Sequence, residues 1–360
     1  METNVNSSSR SSASYLKELD IAKAIGIILV VYGHFYIEFT SKSAPEFAVA
    51  RVIYLFHMPL FFALTGLTNG IYGKRAASHF KSDLKKLFVP YIIWSFIYLL
   101  AIILVRGVIP GKMDKLPGIL SERFLAFITG RGIAPIWFLL ALFLGRTVYD
   151  LIRRAISFDK RKSRVLVLLA LGVISLVSIA IFKKLSAMLP GTENTVCRYL
   201  LITLFRIPLT VFFLIEGECI GRNWAWFKSL GNTARLAIAI MCGIILVASE
   251  FFFHAKFNFH TLDVPSAPLF LLTGTVGTLM VLVVSLILSG FGWTKDLEPI
   301  GRRSFDIMVL HYPPMPFMTV LILAEKSFHL PRPYIINTAI TVLLCMLISK
   351  YFLILFRKRS

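Results

Sequence analysis

The sequence predicts an all-α membrane protein that crosses the bilayer about ten times, and three observations support this. Of its 360 residues, 57% are hydrophobic, which is high for a soluble domain. The apolar residues form runs long enough to span a bilayer, where a helix needs roughly 20 of them. The net charge of +20 comes from basic residues clustered between these runs, which indicates membrane topology and argues against nucleic-acid binding.

Charged or Gly- and Pro-rich breaks separate the predicted spans. The spans cover residues 21–39, 49–71, 88–105, 134–152, 165–182, 199–220, 234–253, 269–291, 304–324 and 334–356. Basic residues are densest in alternate connections, such as the one with Arg153 and Arg154, so both termini are predicted to be cytoplasmic. We expect residues 1–18 to be a disordered polar N-terminus, 19–356 a single transmembrane domain and 357–360 a basic cytoplasmic tail.

The first span carries two ionisable residues, Lys23 and His34, in an otherwise apolar run. Their spacing is about three helical turns, so both side chains lie on one helix face, about 16 Å apart along the axis. Ionisable groups at membrane depth usually face a protein interior or a water-filled cavity, which makes them functional candidates. The alternatives are a hydrogen-bonded structural histidine for His34 and snorkelling of Lys23 to the membrane surface.

His57 precedes Pro59 near the start of the second span. Because Pro59 lacks a backbone N–H, one carbonyl loses its helical partner, and such a break persists only where it lines a cavity or finds another donor. An antiparallel hairpin of the first two spans places His34 and His57 at similar depth, where they can form one polar site. The alternative for His57 is a structural hydrogen bond between helices.

His311 lies about two turns into the ninth span, at the end of the segment IGRRSFDIMVLH. Pro313, Pro314 and Pro316 follow it and must distort the helix, which exposes carbonyls to an interior cavity. His311 is therefore a further functional candidate. The remaining histidines lie in connections and are expected to be solvated: His79, His254, His260 and His329.

Three other features supply candidate residues. Arg206 lies inside the sixth span, where a buried charge needs an ion-pair partner or a cavity. Trp137 opens the fourth span and is either an interfacial anchor or a platform for a substrate. Lys81, Lys85 and Lys86 precede the third span and are suited to binding phosphates, or serve only to set topology.

Four blocks of sequence resemble the acyltransferase 3 family of integral-membrane acyltransferases, and they occur in that family's order. They are LDIAKAIGIILVVYGHF, FHMPLFFALTG, PIWFLL and IGRRSFDIMVLH. In the family's first helix, Arg or Lys is followed by ten residues and then His, and Lys23 and His34 fit this spacing. The second block is similar to the fucose O-acetylase-like branch, with Thr65 in place of a common Ser. Met308 stands where the family often has a tyrosine.

The resemblance implies an O-acyltransferase of the bacterial inner membrane that moves an acyl group, commonly acetyl from acetyl-CoA, to a saccharide hydroxyl. The implied acceptor is a glycan or lipid-linked saccharide, such as an exopolysaccharide, an O-antigen or a nodulation factor. We expect acetyl-CoA as a co-substrate and no tightly bound cofactor. Many members carry an Arg-x-x-Arg pair near residues 81–86; here lysines stand at other spacing, so only the region is assigned to coenzyme A phosphates.

Acyl transfer to a hydroxyl needs a base near neutral pH, and the ordinary pKa of histidine suits this task. We expect His34 to be that base and Lys23 to lie toward the donor side. Substrate-binding or supporting roles are assigned to His57, His311, Arg206 and Trp137. Direct transfer and a variant in which His34 carries the acyl group both stay open.

Two other functions stay open. A transporter or flippase for a lipid-linked sugar would use the histidines as proton relays and depend on ion gradients rather than on acetyl-CoA. A metal site would require His34, His57 and His311 to converge, and we expect none. The four cysteines have no paired spacing and predict neither a disulfide framework nor a zinc site.

Overall fold

The structure of the protein is a computed structural model. It describes residues 16–39, 46–72, 79–108, 113–189, 191, 195–254, 257–312 and 334–351. These residues form no β-sheet; one isolated bridge pairs Asn258 with Asp263. Seven helical segments among them are long and apolar enough to cross a membrane. The predicted all-α polytopic membrane fold is therefore confirmed.

The α-helices of the described residues are numbered in chain order. They are α1 (Lys17–Phe39), α2 (Glu46–Tyr54), α3 (His57–Tyr72), α4 (Phe80–Asp83), α5 (Val89–Val108), α6 (Leu116–Ile128), α7 (Trp137–Ala155), α8 (Arg161–Ala187), α9 (Thr195–Arg222), α10 (Trp224–Ser229), α11 (Asn232–Phe253), α12 (Ala267–Leu288), α13 (Leu297–Arg302), α14 (Ser304–Leu310) and α15 (Tyr334–Tyr351). A π-helical turn, Leu84–Phe88, joins α4 to α5, and 3₁₀ turns at Ala134–Ile136 and Gly292–Asp296 precede α7 and α13.

The predicted second to eighth spans each coincide with one of the seven long apolar segments. The predicted first span is α1, and the tenth overlaps α15. Only the first part of the ninth span, up to Tyr312, is described, so the three prolines that follow it lie outside the described residues. The same holds for residues 1–15 and 352–360. The total of about ten spans and the cytoplasmic placement of both termini stay predictions.

Helix α1 contacts six other helices: α2, α3, α12, α13, α14 and α15. Its first turn carries Glu18 and Asp20, whose negative charges suit the positive end of the helix dipole. Glu18 also accepts a hydrogen bond from Trp224 Nε1 at 3.3 Å. Gly301 of α13 packs so closely that an added Cβ would lie 1.8 Å from the Asp20 carbonyl oxygen. The helix that carries Lys23 is therefore fixed at its start.

The second span is interrupted between α2 and α3, at the position that Pro59 predicts. Pro59 cannot donate to the Leu55 carbonyl oxygen, and the Thr273 hydroxyl of α12 lies 3.4 Å from that oxygen while it donates to the Leu269 carbonyl oxygen at 2.8 Å. The Ile53 carbonyl oxygen accepts from the Phe56 N–H at 3.2 Å and from His57 Nδ1 at 3.0 Å. Side chains of α3 and α12 thus approach the carbonyls beside the break.

Helices α3 and α9 make the most extensive helix–helix contact, and small residues allow it. Each helix contributes two glycines four positions apart: Gly66, Gly70, Gly217 and Gly221. A Cβ at Gly66 would lie 1.8 Å from the Leu214 carbonyl oxygen, and one at Gly217 would lie 1.9 Å from the Ala63 carbonyl oxygen. Because backbone atoms make these contacts, α9 fixes the position of α3 and hence of His57.

We expect Gly217→Ala to lower the stability of the protein by at least about 1–3 kcal/mol, the usual cost of overpacking, because the methyl group meets backbone. The measurement is the thermal unfolding midpoint in detergent. Gly118→Ala on α6 is the matched control, since a Cβ there meets nothing within 4 Å. Equal midpoints for the two variants would show that the α3–α9 contact does not depend on its glycines.

Candidate active site

A cavity of about 880 Å³ lies between α1, α3, α5, α6, α7 and α14. Lys23 of α1 and Ser304 of α14 line one end of it. Both lie near the contact between Gly301 and the first turn of α1. His34 and His57 also line the cavity. The predicted catalytic residues, Lys23 and His34, therefore face one cavity.

His34 is half-buried on the cavity wall, and its Nδ1 atom lies 3.1 Å from the Tyr54 hydroxyl. Gly33 makes room for Tyr54, because a Cβ at Gly33 would lie 3.1 Å from the tyrosine ring. The centres of the His311 and Tyr312 rings lie 5.3 and 4.8 Å from that of the His34 ring. The first span, the second span and the end of α14 thus meet at His34.

His57 and His311 are each held by the carbonyls of their own helical turn. His57 Nδ1 lies 3.0 Å from the Ile53 carbonyl oxygen, and His311 Nδ1 lies 3.0 Å from those of Ile307 and Met308. A carbonyl oxygen only accepts, so Nδ1 carries a proton in both rings, and in neutral imidazole Nε2 carries the lone pair. His311 is fully buried, and its Nε2 has no hydrogen-bond partner among the described residues.

We name His34, His57 and His311 the histidine cluster. Tyr54 links two of its members, because its hydroxyl contacts His34 and its ring centre lies 4.6 Å from that of His57. The structure therefore brings together the three histidines that the sequence places at membrane depth.

Lys23 lies on the same face of α1 as His34, about 16 Å away along the helix axis. Its Nζ atom lies 3.2 Å from Asp20 Oδ1, one turn earlier, and 34% of its side chain is exposed. This carboxylate compensates the lysine charge beside the cavity. Lys23 is thereby positioned at one end of the cavity, away from the histidine cluster.

Three arginines line the far part of the cavity, and we name them the arginine end: Arg106 of α5, Arg123 of α6 and Arg131 of the loop before α7. Their place follows from α5, where Tyr98 donates a hydrogen bond to the Val309 carbonyl oxygen at 3.1 Å, next to the histidine cluster. Arg106 lies about two turns beyond Tyr98. The cavity therefore runs from Lys23 past the histidine cluster to the arginine end.

The loop that carries Arg131 has an unusual backbone. Gly130, Gly132 and Ala134 have positive φ angles of 79°, 87° and 44°. At Gly132 an added Cβ would lie 2.4 Å from both Cα and Cβ of Trp137, so the position requires glycine. The chain coils tightly before α7, which brings both Arg131 and Trp137 to the cavity.

Trp137 is 6% exposed and forms part of the cavity wall rather than an anchor at the membrane surface. The Arg206 guanidinium lies 4.6 Å from the centre of its ring. Arg206 donates hydrogen bonds to the carbonyl oxygens of His260 at 2.6 Å and Arg131 at 3.4 Å. Contrary to expectation, Arg206 has no ion-pair partner among the described residues and lies outside the cavity lining. Arg206 thus packs on Trp137 and bonds to the two loops that carry Arg131 and His260.

His260, expected to be solvated, is instead half-buried, so this expectation is wrong. Its ring lies parallel to that of Trp137, 5.7 Å away, and its Nε2 donates to the Gly132 carbonyl oxygen at 3.0 Å. Burial and the positive charges of Arg206 and Arg131 hold the pKa of His260 well below its usual range. His260 is therefore neutral at physiological pH, in a region of positive potential.

The three lysines assigned to donor phosphates, Lys81, Lys85 and Lys86, are exposed and lie outside the cavity lining. They are carried by α4 and the π-helical turn that follows it. Asp83 between them pairs with Arg146 of α7 at 2.7 Å, which fixes the segment. The structure thus presents the lysines together, and their role in binding phosphates stays a prediction.

Within the described residues, no group of three His, Cys, Asp or Glu side chains is arranged to hold a metal ion. Two members of the histidine cluster already use Nδ1 to bond a backbone carbonyl. Metal-bound histidines commonly donate one ring N–H to a carbonyl and bind the ion through the other nitrogen, so these hydrogen bonds do not decide the metal alternative.

Tyr54, Tyr312 and Arg131 also line the cavity, although they are not among the predicted site residues. Tyr54 stands three residues before His57, on the other side of the break between α2 and α3. Tyr312 directly follows His311. The glycines on both sides of Arg131 indicate a loop of special geometry. These signals are visible in the sequence, but they do not identify the partner of each residue.

The geometry suits acid–base chemistry on a group bound in the cavity. A histidine whose Nδ1 is held by a tyrosine hydroxyl can direct Nε2 toward a bound hydroxyl group and accept its proton. His34 has this arrangement with Tyr54. His57 presents the lone pair of Nε2 to the cavity, and the arginine end presents positive charge. His311 lies outside the cavity lining and contacts the His34 ring instead.

Comparison with known proteins identifies the family of this chain. No curated protein and no solved structure matches the chain. A family model described as an acyltransferase domain, acyltransferase 3, matches residues 16–350, which include every residue of the cavity described above. Because this match covers nearly the whole chain, the protein belongs to the acyltransferase 3 family and is a multi-pass membrane acyltransferase.

Proposed function

We propose that the protein transfers an acetyl group from acetyl-CoA to a hydroxyl group of a saccharide, with His34 as the base. The observation that carries this proposal is the contact between His34 Nδ1 and the Tyr54 hydroxyl inside a cavity that also contains Lys23. If Nδ1 donates to the tyrosine oxygen, Nε2 is left unprotonated and able to accept a proton.

In the proposed reaction the acceptor hydroxyl gives its proton to His34 Nε2, and its oxygen attacks the thioester carbonyl carbon. The new ester C–O bond forms as the C–S bond breaks, and the coenzyme A thiolate takes a proton as it leaves. Alternatively, Nε2 attacks the thioester first, and the acyl group then passes from His34 to the hydroxyl. The contacts of His34 are compatible with both routes.

The donor is proposed to enter at the Lys23 end. Coenzyme A is made in the cytoplasm, and the predicted topology places the start of α1 on that side. The exposed lysines Lys81, Lys85 and Lys86 precede α5 on the same predicted side and suit its phosphates. Acetyl-CoA would serve as a co-substrate, without a tightly bound cofactor.

The acceptor is proposed to be an exopolysaccharide, an O-antigen or a lipo-oligosaccharide such as a nodulation factor, modified at the bacterial inner membrane. The similarity of FHMPLFFALTG to the fucose O-acetylase-like branch supports this choice and makes fucose a candidate sugar. In this chain the segment supplies His57, Met58, Phe61, Leu64 and Thr65 to the cavity wall.

Membrane vesicles that contain the protein should transfer label from acetyl-CoA to membrane glycans, and His34→Ala should reduce this transfer by about 10²–10⁴-fold, the usual contribution of a general base. His254→Ala is the matched control, because the His254 side chain is 69% exposed and lies outside the cavity lining. If wild-type vesicles transfer no label but move a lipid-linked sugar across the membrane, the protein is a transporter instead.

Tyr54→Phe should lower kcat by about tenfold while leaving the KM for acetyl-CoA unchanged, because it removes one hydrogen bond that orients the His34 ring. Tyr351→Phe, at a position whose side chain is 62% exposed, is the control. Steady-state kinetics with labelled acetyl-CoA separate the two parameters. A rise in KM with unchanged kcat would show that Tyr54 binds the donor rather than orienting His34.

A further inference from the structure

The arginine end brings three basic side chains to the cavity. Arg106, Arg123 and Arg131 come from three different parts of the chain, and all three line the cavity. Arg131 pairs with Glu122, whose Oε1 lies 3.7 Å from Arg131 Nη1, but Glu122 is 46% exposed and lies outside the lining. No Asp or Glu is among the described residues that line the cavity, so the lining carries only basic charge.

Arg131 is held in place but incompletely bonded. Its side chain is 13% exposed, and its guanidinium carbon lies 4.4 Å from the centre of the Tyr199 ring. Its Nε and Nη1 atoms are buried and have no hydrogen-bond partner among the described residues. Because these two atoms are closed off from the cavity, a ligand there would meet the rest of the guanidinium and be attracted by its charge.

Hydrogen bonds also hold the loop that carries Arg131, and such preorganisation favours the binding of a specific group. Arg206 and Gly132 each tie the loop of Arg131 to the His260 segment through hydrogen bonds. Trp137 stands beside this loop and lines the cavity, with Arg206 and His260 packed against its ring. A guanidinium group that lines a cavity suits a ligand with a carboxylate or phosphate.

Arg131 also lines a second cavity, of about 620 Å³, on the other side of its loop. Lys183 and Arg198 add positive charge there, and Asp263 is the acid in the lining. The second cavity adjoins the arginine end at Arg131, so an extended ligand can continue past the first cavity along basic residues.

We propose that the arginine end binds a negatively charged group, a carboxylate or phosphate, on the acceptor saccharide and thereby holds a nearby hydroxyl at His34. This inference rests on the proposed function, because it specifies the acceptor class for the same cavity. The acceptor is assigned to this end because the histidine cluster separates it from Lys23, where the donor is proposed to enter. Coenzyme A also carries phosphates, so the experiment must distinguish donor from acceptor.

The first experiment uses vesicles with the full-length protein and labelled acetyl-CoA. The labelled glycan is cleaved to oligosaccharides and separated by anion exchange. We expect label in fractions that bind the anion exchanger and that elute as neutral after reduction or removal of the carboxylate or phosphate. Label in neutral oligosaccharides would overturn this inference and leave the acyltransferase proposal intact, whereas absence of any labelled glycan would reject both.

The second experiment compares Arg131→Gln, Arg123→Gln and the conservative Arg131→Lys. We expect the Gln variants to lower transfer by about tenfold or more, the loss expected for a hydrogen bond to a charged group, with an unchanged KM for acetyl-CoA. Arg131→Lys should retain more of the acetyl transfer than Arg131→Gln, because lysine keeps the positive charge. Arg154→Gln, an exposed position outside the cavity lining, should have no effect.

Two results of the second experiment would overturn the inference. A raised KM for acetyl-CoA in the Gln variants would assign the arginine end to donor phosphates. Unchanged transfer in both Gln variants would show that the positive charge does not contribute to acceptor binding. Thermal unfolding midpoints in detergent distinguish these results from loss of the fold. We expect Arg123→Gln and the control, Arg154→Gln, to have the same midpoint.

Discussion

The hydrogen bonds from imidazole Nδ1 atoms to backbone carbonyls determine the geometry of the site. Beside the break before α3, the Ile53 carbonyl oxygen accepts from His57 Nδ1 as well as from the Phe56 N–H. At the end of α14, His311 bonds to the carbonyls of the turn before it. Both rings are thereby oriented, and in the neutral form both present Nε2 as an acceptor. His34 differs, because a tyrosine hydroxyl holds its Nδ1.

The distribution of charge along the cavity follows from how each cation is compensated. Lys23 has a carboxylate one turn away, whereas the charge of Arg206 is distributed over carbonyl oxygens and the face of Trp137. Arginine suits the second arrangement, because its flat guanidinium stacks on rings and bonds in several directions at once. The result is a cavity that is nearly neutral where α1 begins and positive beyond the histidine cluster, so it favours different ligands at its two ends.

Much of this arrangement was predictable from local pattern, and the rest depends on contacts between distant segments. Helical periodicity places Lys23 and His34 on one face, and the missing N–H of Pro59 predicts the break beside His57. His260 was expected to be solvated, and this expectation is wrong because the connection between α11 and α12 folds onto Trp137. Trp137 lies more than a hundred residues earlier in the chain. The four glycines between α3 and α9 have a recognisable spacing, but spacing alone does not identify which helices pair.

The orientation of the histidine rings bears on which ligand groups the cavity can hold. A saccharide carries many hydroxyl groups, each able to donate one hydrogen bond, and Nε2 of His57, which lines the cavity, is an acceptor in the neutral form. A thioester carbonyl offers only lone pairs and gains nothing from such atoms. The histidine cluster is therefore better matched to the acceptor than to the donor. With the arginine end beyond it, the acceptor would be held at two points, and the hydroxyl between them would be the one that reaches His34.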